Sequence, residues 1–253
     1  MKLIGITGRK RSGKDSLATI IKDYSREEYT RVSFADPMRQ IMEEVCLFPR
    51  PYNYETMKEE PVLVLDTTES FFKPMVVKML SYNADNPDEI HKNGIKFMKF
   101  SLQFNKRRFS PREFLQKLGT EFGREQLGEN IWVDMLISSL DKEKSYIIPD
   151  VRFDNEAEAI RKAGGKVIKV IRPSLEEGPV EDNHSSEAGV YKGLISDTLI
   201  ADSLSEMKRK WISKQDNEVQ TTRCMHGYKG CLGCYECSGG DENLQEFKDP
   251  LIP

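Results

Sequence analysis

The residues best suited to do chemistry lie in a glycine-rich segment, GRKRSGKD, at positions 8–15. A short apolar run at 2–7 precedes it and predicts a strand, and the apolar spacing after it predicts a helix over 14–25. Glycines let successive backbone N–H groups turn toward an anion, and the start of a helix adds its positive dipole end. The pattern predicts a phosphate-binding P-loop whose Lys14 reaches the terminal phosphates of a nucleotide.

The position after this lysine departs from the usual P-loop pattern. Asp15 stands where Ser or Thr is common, and Ser16 follows it. A hydroxyl at that position would ligate Mg²⁺, whereas a carboxylate could hold the ion through its retained waters. The alternative is that other groups hold the metal.

A second set of candidate residues consists of cations that could surround a moving phosphoryl group, which such transfer requires. Arg152 and Asp150 come at the end of a predicted strand over 145–150, and ligands bind at the carboxyl ends of parallel strands. Arg152 would grip a phosphate. Asp150 would orient Mg²⁺ or its waters, or would only begin the next helix. The other candidate arginines are Arg112, Arg124 and Arg172.

The elements that must position these residues alternate between strand and helix. Further strands are predicted at 31–35, 166–171 and 198–201, and further helices are predicted at 36–45, 111–122, 130–141, 154–163 and 203–214. This alternation predicts an α/β fold of the P-loop NTPase type, with three layers and a parallel sheet covered by helices on both faces.

Two regions do not follow the alternation. Residues 49–95 contain irregularly spaced prolines and are predicted to be an insertion or substrate-covering region, within a domain over 1–214. Residues 96–104 alternate in polarity and predict a strand or hairpin arm. Residues 215–253 turn polar and are predicted to be an irregular tail.

Composition narrows the class of protein. The 253 residues carry a formal net charge of −3, which disfavours a general nucleic-acid binder. No apolar stretch approaches the roughly 18 residues of a membrane helix, and the first residues do not resemble a signal peptide. We therefore expect a cytoplasmic protein. The sequence contains neither an Asn-Lys-x-Asp motif nor an apolar run ending in Asp-Glu, which disfavours GTPases and motor ATPases and favours a small-molecule kinase.

Basic and aromatic residues are interleaved between 96 and 112. Such a mixture can bind single-stranded nucleic acid, and a nucleic-acid-stimulated ATPase is one alternative function. The acidic balance of the chain favours the other interpretation, a half-buried strand whose phenylalanines face the core.

Four cysteines lie close together in the predicted tail. They could hold a structural zinc ion, because a C-x₂-C pair lets two thiolates reach one metal. The alternative is a tail with unligated thiols. The residues are Cys224, Cys231, Cys234 and Cys237.

Beyond these patterns, the sequence resembles the bacteriophage deoxynucleoside monophosphate kinases. The similarity rests on short segments that occur in the family's order. They are GRKRSGKD at 8–15, RxxxQxLGT from Arg112 to Thr120, Trp132, PDVRFDNE at 149–156, VIRP at 170–173 and HxSEAG at 184–189.

The resemblance implies transfer of the ATP γ-phosphate to a deoxynucleoside monophosphate, with Mg²⁺ as cofactor, in the cytoplasm of an infected cell if the gene is viral. It assigns ATP binding to the P-loop and acceptor binding to two later segments. The ATP-binding residues would be Lys10, Arg11, Ser12, Gly13, Lys14, Asp15 and Ser16. The acceptor-binding residues would be Arg112, Gln116, Gly119, Thr120, Trp132, Asp150, Arg152 and Glu156. Lys14, Asp150 and Arg152 would act in catalysis. A small-molecule kinase with another acceptor is the second alternative.

Overall fold

The computed structural model describes residues 1–65, 73–176 and 190–221. Its centre is a parallel sheet of five strands in the order β2-β5-β1-β6-β7. These strands are β1 Leu3–Thr7, β2 Tyr29–Arg31, β5 Ser145–Ile148, β6 Lys166–Ile171 and β7 Asp197–Ile200. A separate antiparallel pair is formed by β3 Cys46–Leu47 and β4 Val64–Leu65.

Ten α-helices lie within the described ranges, together with a π-helical segment at Leu118–Leu127 and short 3₁₀ turns at Leu102–Phe104 and Lys192–Leu194. The α-helices are α1 Lys14–Tyr24, α2 Asp36–Val45, α3 Tyr54–Met57, α4 Pro74–Leu80, α5 Pro87–Ser101, α6 Pro111–Lys117, α7 Ile131–Ile137, α8 Asp154–Lys162, α9 Pro173–Glu176 and α10 Leu204–Thr221. None of the helices in these ranges is both long and apolar enough to cross a membrane.

Side chains that alternate along the strands belong to two separate apolar clusters, one on each face of the sheet. In β1, Ile4 and Ile6 join a cluster with residues of α1 and α10, whereas Leu3 joins a cluster with residues of α7 and α8. Successive strand residues point to opposite faces, so helices cover the sheet on both sides. This architecture confirms the predicted α/β fold with a parallel sheet.

A third apolar cluster lies away from the sheet and is built from α2, α4, α5, α6, the π-helical segment and α7. Its members Leu63, Val76, Met79 and Leu80 come from the region 49–95. This region contains α3, α4 and the start of α5, so the prediction that it is irregular is wrong. Asn86 begins α5 by accepting a hydrogen bond from the N–H of Glu89, and Pro87 occupies the first turn.

The strand predicted at 96–104 is also wrong, because these residues complete α5 and the 3₁₀ turn that follows it. Phe97, Phe100 and Phe104 are spaced by three and four residues, and all are buried in the third cluster. Phe109 is buried with them. The phenylalanines therefore face the core, as the second interpretation of this stretch expected, and are not available to stack on nucleic acid.

The final helix begins as predicted, with the Ser203 hydroxyl accepting from the N–H of Glu206 at 3.2 Å. It continues to Thr221, beyond the predicted end at 214. The predicted zinc ligands of the tail and the 184–189 segment lie outside the described residues.

Candidate active site

The P-loop predicted from the sequence connects β1 to α1. Gly8 and Gly13 have φ angles of 149° and 98°, which residues with a side chain rarely adopt. A Cβ atom at Gly8 would lie 2.5 Å from the carbonyl oxygen of Val170 in β6, so the loop packs directly on the neighbouring strand. The backbone conformation therefore favours glycine at both positions, and at Gly8 a side chain would also clash with the backbone of β6.

Lys14 is the first residue of α1, and its side chain extends back toward this loop. Its Nζ donates to the carbonyl oxygens of Gly8 at 2.6 Å and Arg9 at 2.7 Å. The ammonium group thus lies where the loop bends. Ser12 Oγ is buried beside Gly8 and has no hydrogen-bond partner among the described residues.

Lys10 and Arg11 are exposed on the outer side of the loop, and Ser16 is partly buried. Asp15 forms an ion pair with Arg31 of β2, and its side chain is 77% exposed. The structure therefore places Asp15 at the rim of the loop, and its predicted interaction with Mg²⁺ stays a prediction.

A pair of carboxylates lies where β2 and β5 end, on either side of one serine. Ser33 Oγ donates to Asp150 Oδ2 at 2.6 Å, and the N–H of Ser33 donates to Asp36 Oδ2 at 2.7 Å. The N–H of Phe34 also donates to Asp150, at 3.3 Å. We call Ser33, Asp36 and Asp150 the carboxylate cluster.

Burial raises the pKa of Asp150 above its ordinary value, and the negative charge of Asp36 raises it further. The hydrogen bonds from Ser33 and from the backbone of Phe34 act in the opposite direction. A half-buried carboxylate beside a second one is a good ligand for a cation, because the cation relieves their mutual repulsion.

Sequence reasoning missed Asp36, which it interpreted only as the start of α2. The signal that could have found it is positional. Asp36 follows β2 as Asp150 follows β5, and these two strands are neighbours in the parallel sheet. Groups that follow adjacent parallel strands lie at the same edge of the sheet.

Arg152 is exposed just beyond Asp150, and a buried carboxylate holds its backbone. Glu156 Oε2 accepts from the N–H groups of Arg152 at 2.7 Å and Phe153 at 3.1 Å. Its Oε1 accepts from Arg124 at 3.1 Å, and the Arg124 guanidinium carbon lies 4.1 Å from the centre of the Phe153 ring. Glu156 is only 4% exposed.

Burial raises the pKa of Glu156, whereas the two backbone hydrogen bonds and the charge of Arg124 lower it. The resemblance assigned Glu156 to the nucleotide. The observed contacts of this carboxylate are with the loop that carries Arg152 and with the Arg124 side chain, and its role in nucleotide binding stays a prediction.

The acceptor-binding residues predicted on α6 and the π-helical segment are differently exposed. Gln116 and Thr120 face solvent, and Arg112 is half-exposed in an ion pair with Glu59. Gly119 is buried, and a Cβ atom there would lie 2.9 Å from the sulfur of Met38 in α2.

Trp132 lies in the core of this region and is 2% exposed. Its indole N–H donates to the carbonyl oxygen of Gly119 at 2.9 Å. A Cβ atom on Gly123 would come within 2.3 Å of the indole ring, so the π-helical segment packs closely on it. Trp132 therefore contacts this segment closely, and its part in acceptor binding stays a prediction.

Comparison with known proteins identifies the family of the chain. A family model described as deoxynucleotide monophosphate kinase matches residues 50–211, more than half of the chain. A deoxynucleoside-5′-monophosphate kinase of Escherichia phage T5 is 25% identical over 248 residues, which cover 86% of this chain and 97% of that protein. A deoxynucleotide monophosphate kinase of Enterobacteria phage T4 is 28% identical over 220 residues, covering 75% of this chain and 88% of that protein. These matches confirm the predicted resemblance. The chain belongs to the deoxynucleotide monophosphate kinase family.

Proposed function

We propose that the protein transfers the γ-phosphate of ATP to a deoxynucleoside 5′-monophosphate, which yields the diphosphate and ADP. The observation that carries the proposal is the P-loop beside the carboxylate cluster, at the carboxyl ends of adjacent parallel strands in a chain of this family. A phosphate-binding loop beside oxygen ligands for a cation is what transfer between two nucleotides requires.

The P-loop residues bind the phosphates of ATP. Phosphate oxygens replace the carbonyl oxygens of Gly8 and Arg9 as the partners of Lys14, so its ammonium group holds the β- and γ-phosphates. Lys10 and Arg11 add positive charge at the rim of the loop.

The acceptor is held by Arg112, with the exposed Gln116 and Thr120 and the buried Gly119 on the same helical stretch. An oxygen of its phosphate attacks the γ-phosphorus while the bond from that phosphorus to the bridging β-oxygen breaks, and the electron pair of this bond stays on ADP. Arg152, exposed beside the carboxylate cluster, stabilises the charge on the transferred group. Two nucleotides repel each other as polyanions, so positioning and charge neutralisation supply most of the rate enhancement.

The carboxylate cluster fits a hydrated Mg²⁺ ion. Asp36, Asp150 and Ser33 present oxygen atoms, which this hard cation prefers. The described residues contain no group of three His, Cys, Asp or Glu side chains that could enclose a metal, which suits an ion that keeps its waters and shares nucleotide phosphates. Bound there, Mg²⁺ would neutralise phosphate charge, and Asp15 is a further candidate to approach it through water.

The catalytic domain covers 1–214 with the tail appended, and the place of action is the cytoplasm, of the infected host if the gene is viral. A zinc ion on the four tail cysteines would be supported by near-stoichiometric zinc after metal-supplemented purification and contradicted by its absence.

The direct test is ADP production from ATP and Mg²⁺ with each of the four deoxynucleoside monophosphates and with ribonucleotide controls. We expect turnover that depends on at least one deoxynucleotide. The proposal would be contradicted if the folded protein hydrolysed ATP at a rate that none of the four acceptors changes but that single-stranded DNA increases.

A further inference from the structure

A groove of about 340 Å³ lies at β7, the last strand in the order of the parallel sheet. It is bounded by β6, by the start of β7 and by the residues of and after the 3₁₀ turn at Lys192–Leu194. Sites for small ligands have volumes of roughly 300–1,000 Å³, so this groove can hold a small molecule. We call it the edge groove. The residues used in the argument below are Lys169, Ile171, Lys192, Ile195, Ser196 and Thr198.

Lys169 of β6 points away from the helix that follows the P-loop. It alternates along the strand with Ile168 and Val170, which pack in one cluster with residues of α1. Its side chain is therefore on the face of Val167, which packs with residues of α8. The P-loop leads into α1, so the sheet lies between that helix and the Lys169 side chain. The edge groove is a different site from the P-loop.

The two lysines of the edge groove have no counter-ion within the part of the chain that the structure describes. Neither Lys169 nor Lys192 forms an ion pair or a side-chain hydrogen bond with the described residues. Asp197 also lines the groove, but its carboxylate already pairs with Lys214 of α10. Lys169 is partly buried, and Lys192 is exposed. The described lining therefore carries excess positive charge, and the repulsion between the two ammonium groups is relieved when an anion binds.

A hydroxyl group in the same groove has a proton to donate. Ser196 Oγ accepts from the N–H of Val167 and from Arg161 Nη1 of α8, both at 2.9 Å. A hydroxyl has two lone pairs and one proton, so both acceptor positions of Ser196 are occupied. Its proton has no acceptor among the described residues. The hydroxyl is therefore available to donate to a ligand in the groove, and Arg161 adds positive charge beside it.

We propose that the edge groove is a binding site for a phosphate group, whose charge pairs with Lys169 and Lys192 and one of whose oxygens accepts from Ser196. A phosphate carries more than one negative charge at neutral pH and has several acceptor oxygens, which matches two ammonium groups and a hydroxyl donor. Ile171 and Ile195 form an apolar wall beside these cations. Inorganic phosphate and the phosphate of a nucleotide share this chemistry. The inference uses none of the residues assigned to phosphoryl transfer.

The test is a titration of the ¹⁵N-labelled full-length protein with inorganic phosphate, followed by backbone amide NMR signals. We expect the signals of Ser196 and Thr198 to shift and to saturate. The P-loop also binds phosphate, and the signal of Gly13 reports its occupancy separately. A second titration with thymidine 5′-monophosphate distinguishes the two sources of the phosphate. A lower Kd at Ser196 for the nucleotide supports a nucleotide ligand, and an equal Kd supports a site for phosphate alone.

Lysine-to-methionine variants test the assigned contacts, because methionine keeps most of the apolar stem and removes the charge. Lys169→Met should raise the Kd for phosphate read from Ser196 about 10-fold, and Lys192→Met, whose ammonium group is exposed, should raise it about 3-fold. Neither should change the Kd read from Gly13. Lys142→Met is the matched control, since it removes an exposed lysine that does not line the groove, and it should change neither value.

The inference is overturned if the signals of Ser196 and Thr198 do not respond to either compound. It is also overturned if both folded lysine variants bind phosphate like the parent, or if Lys142→Met weakens binding equally. If Lys169→Met does not fold, Lys192→Met decides, because its lysine lies on an exposed turn. The titration requires no turnover, so its result is independent of the proposed function.

Discussion

The buried carboxylate of Glu156 allows a quantitative test of how the site is held together. Its two oxygens accept hydrogen bonds from the backbone of Arg152 and Phe153 and from the side chain of Arg124. In Glu156→Gln the single amide oxygen can serve the backbone or the guanidinium, but not both sides at once. One charge-assisted hydrogen bond is therefore lost, and the amide N–H₂ faces a donor.

A hydrogen bond to a charged group contributes about 1.5–3 kcal/mol, so Glu156→Gln should lower the free energy of unfolding by about 2 kcal/mol. Complete removal in Glu156→Ala leaves Arg124 without its carboxylate and should cost about 3–5 kcal/mol. Glu158→Gln is the matched control on the same helix. The Glu158 side chain is half-exposed, and its Oε2 lies 3.5 Å from Lys162 Nζ. Loss of this exposed ion pair should lower the free energy of unfolding by under about 1 kcal/mol.

The assay is urea unfolding followed by fluorescence of the buried Trp132 and Trp211, together with kcat for the best acceptor. Because Glu156 holds the backbone of Arg152, we expect kcat to fall in Glu156→Gln and not in Glu158→Gln. A double-mutant cycle with Arg124→Gln should show coupling, since the two side chains are in contact. Equal stability losses at positions 156 and 158, or no coupling with Arg124, would refute this reasoning.

Three further predictions concern the loop and the carboxylate cluster. Lys14→Ala should lower kcat by roughly 10²-fold or more with an unchanged melting temperature, whereas Lys22→Ala, exposed on the same helix, should be as active as the parent. Gly8→Ala places a Cβ atom 2.5 Å from the carbonyl oxygen of Val170, at a residue with positive φ, and should lower the free energy of unfolding measured with denaturant. Gly94 lies in α5 with open space around it, so Gly94→Ala should leave that free energy unchanged or raise it by about 0.5–1 kcal/mol. Burial raises the pKa of Asp150 above its ordinary 3.8, so the folded state binds the carboxyl proton more tightly than the unfolded state does. The free energy of unfolding should therefore fall as the pH rises from 3.8 through the pKa of the folded state. Asp150→Asn should remove this decline, and unfolding curves of equal pH dependence in the two proteins would contradict it.

The local patterns of the chain predicted the P-loop well, because its requirements are local. Glycine at positive φ, a preceding strand and a following helix are all encoded within about two dozen residues of one another. The alternation of strands and helices also predicted the parallel sheet. The assignment of acceptor and catalytic roles to individual residues stays a prediction that the proposed experiments test.

Residues 96–104 show why local patterns are not sufficient. Apolar and polar residues alternate from Phe100 to Phe104, whereas the phenylalanines at 97, 100 and 104 fit a helical spacing. Packing decides between the two, since Phe97 and Phe100 both contact Phe122 of the π-helical segment, with ring centres 5.3 Å apart in each case. A helix buries these rings on one face, which a strand in that position would not.

The sequence by itself determined the glycine-rich loop between β1 and α1, the alternation of strands and helices that builds the parallel sheet, and the family to which the chain belongs. The tertiary structure alone decided which distant residues meet. Ser33 and Asp150 are 117 positions apart, and they touch because β2 and β5 are neighbours in the sheet. Sheet order depends on the packing of the whole chain, so neither the carboxylate cluster nor the pairing of Arg124 with Glu156 could be derived from spacing along the sequence.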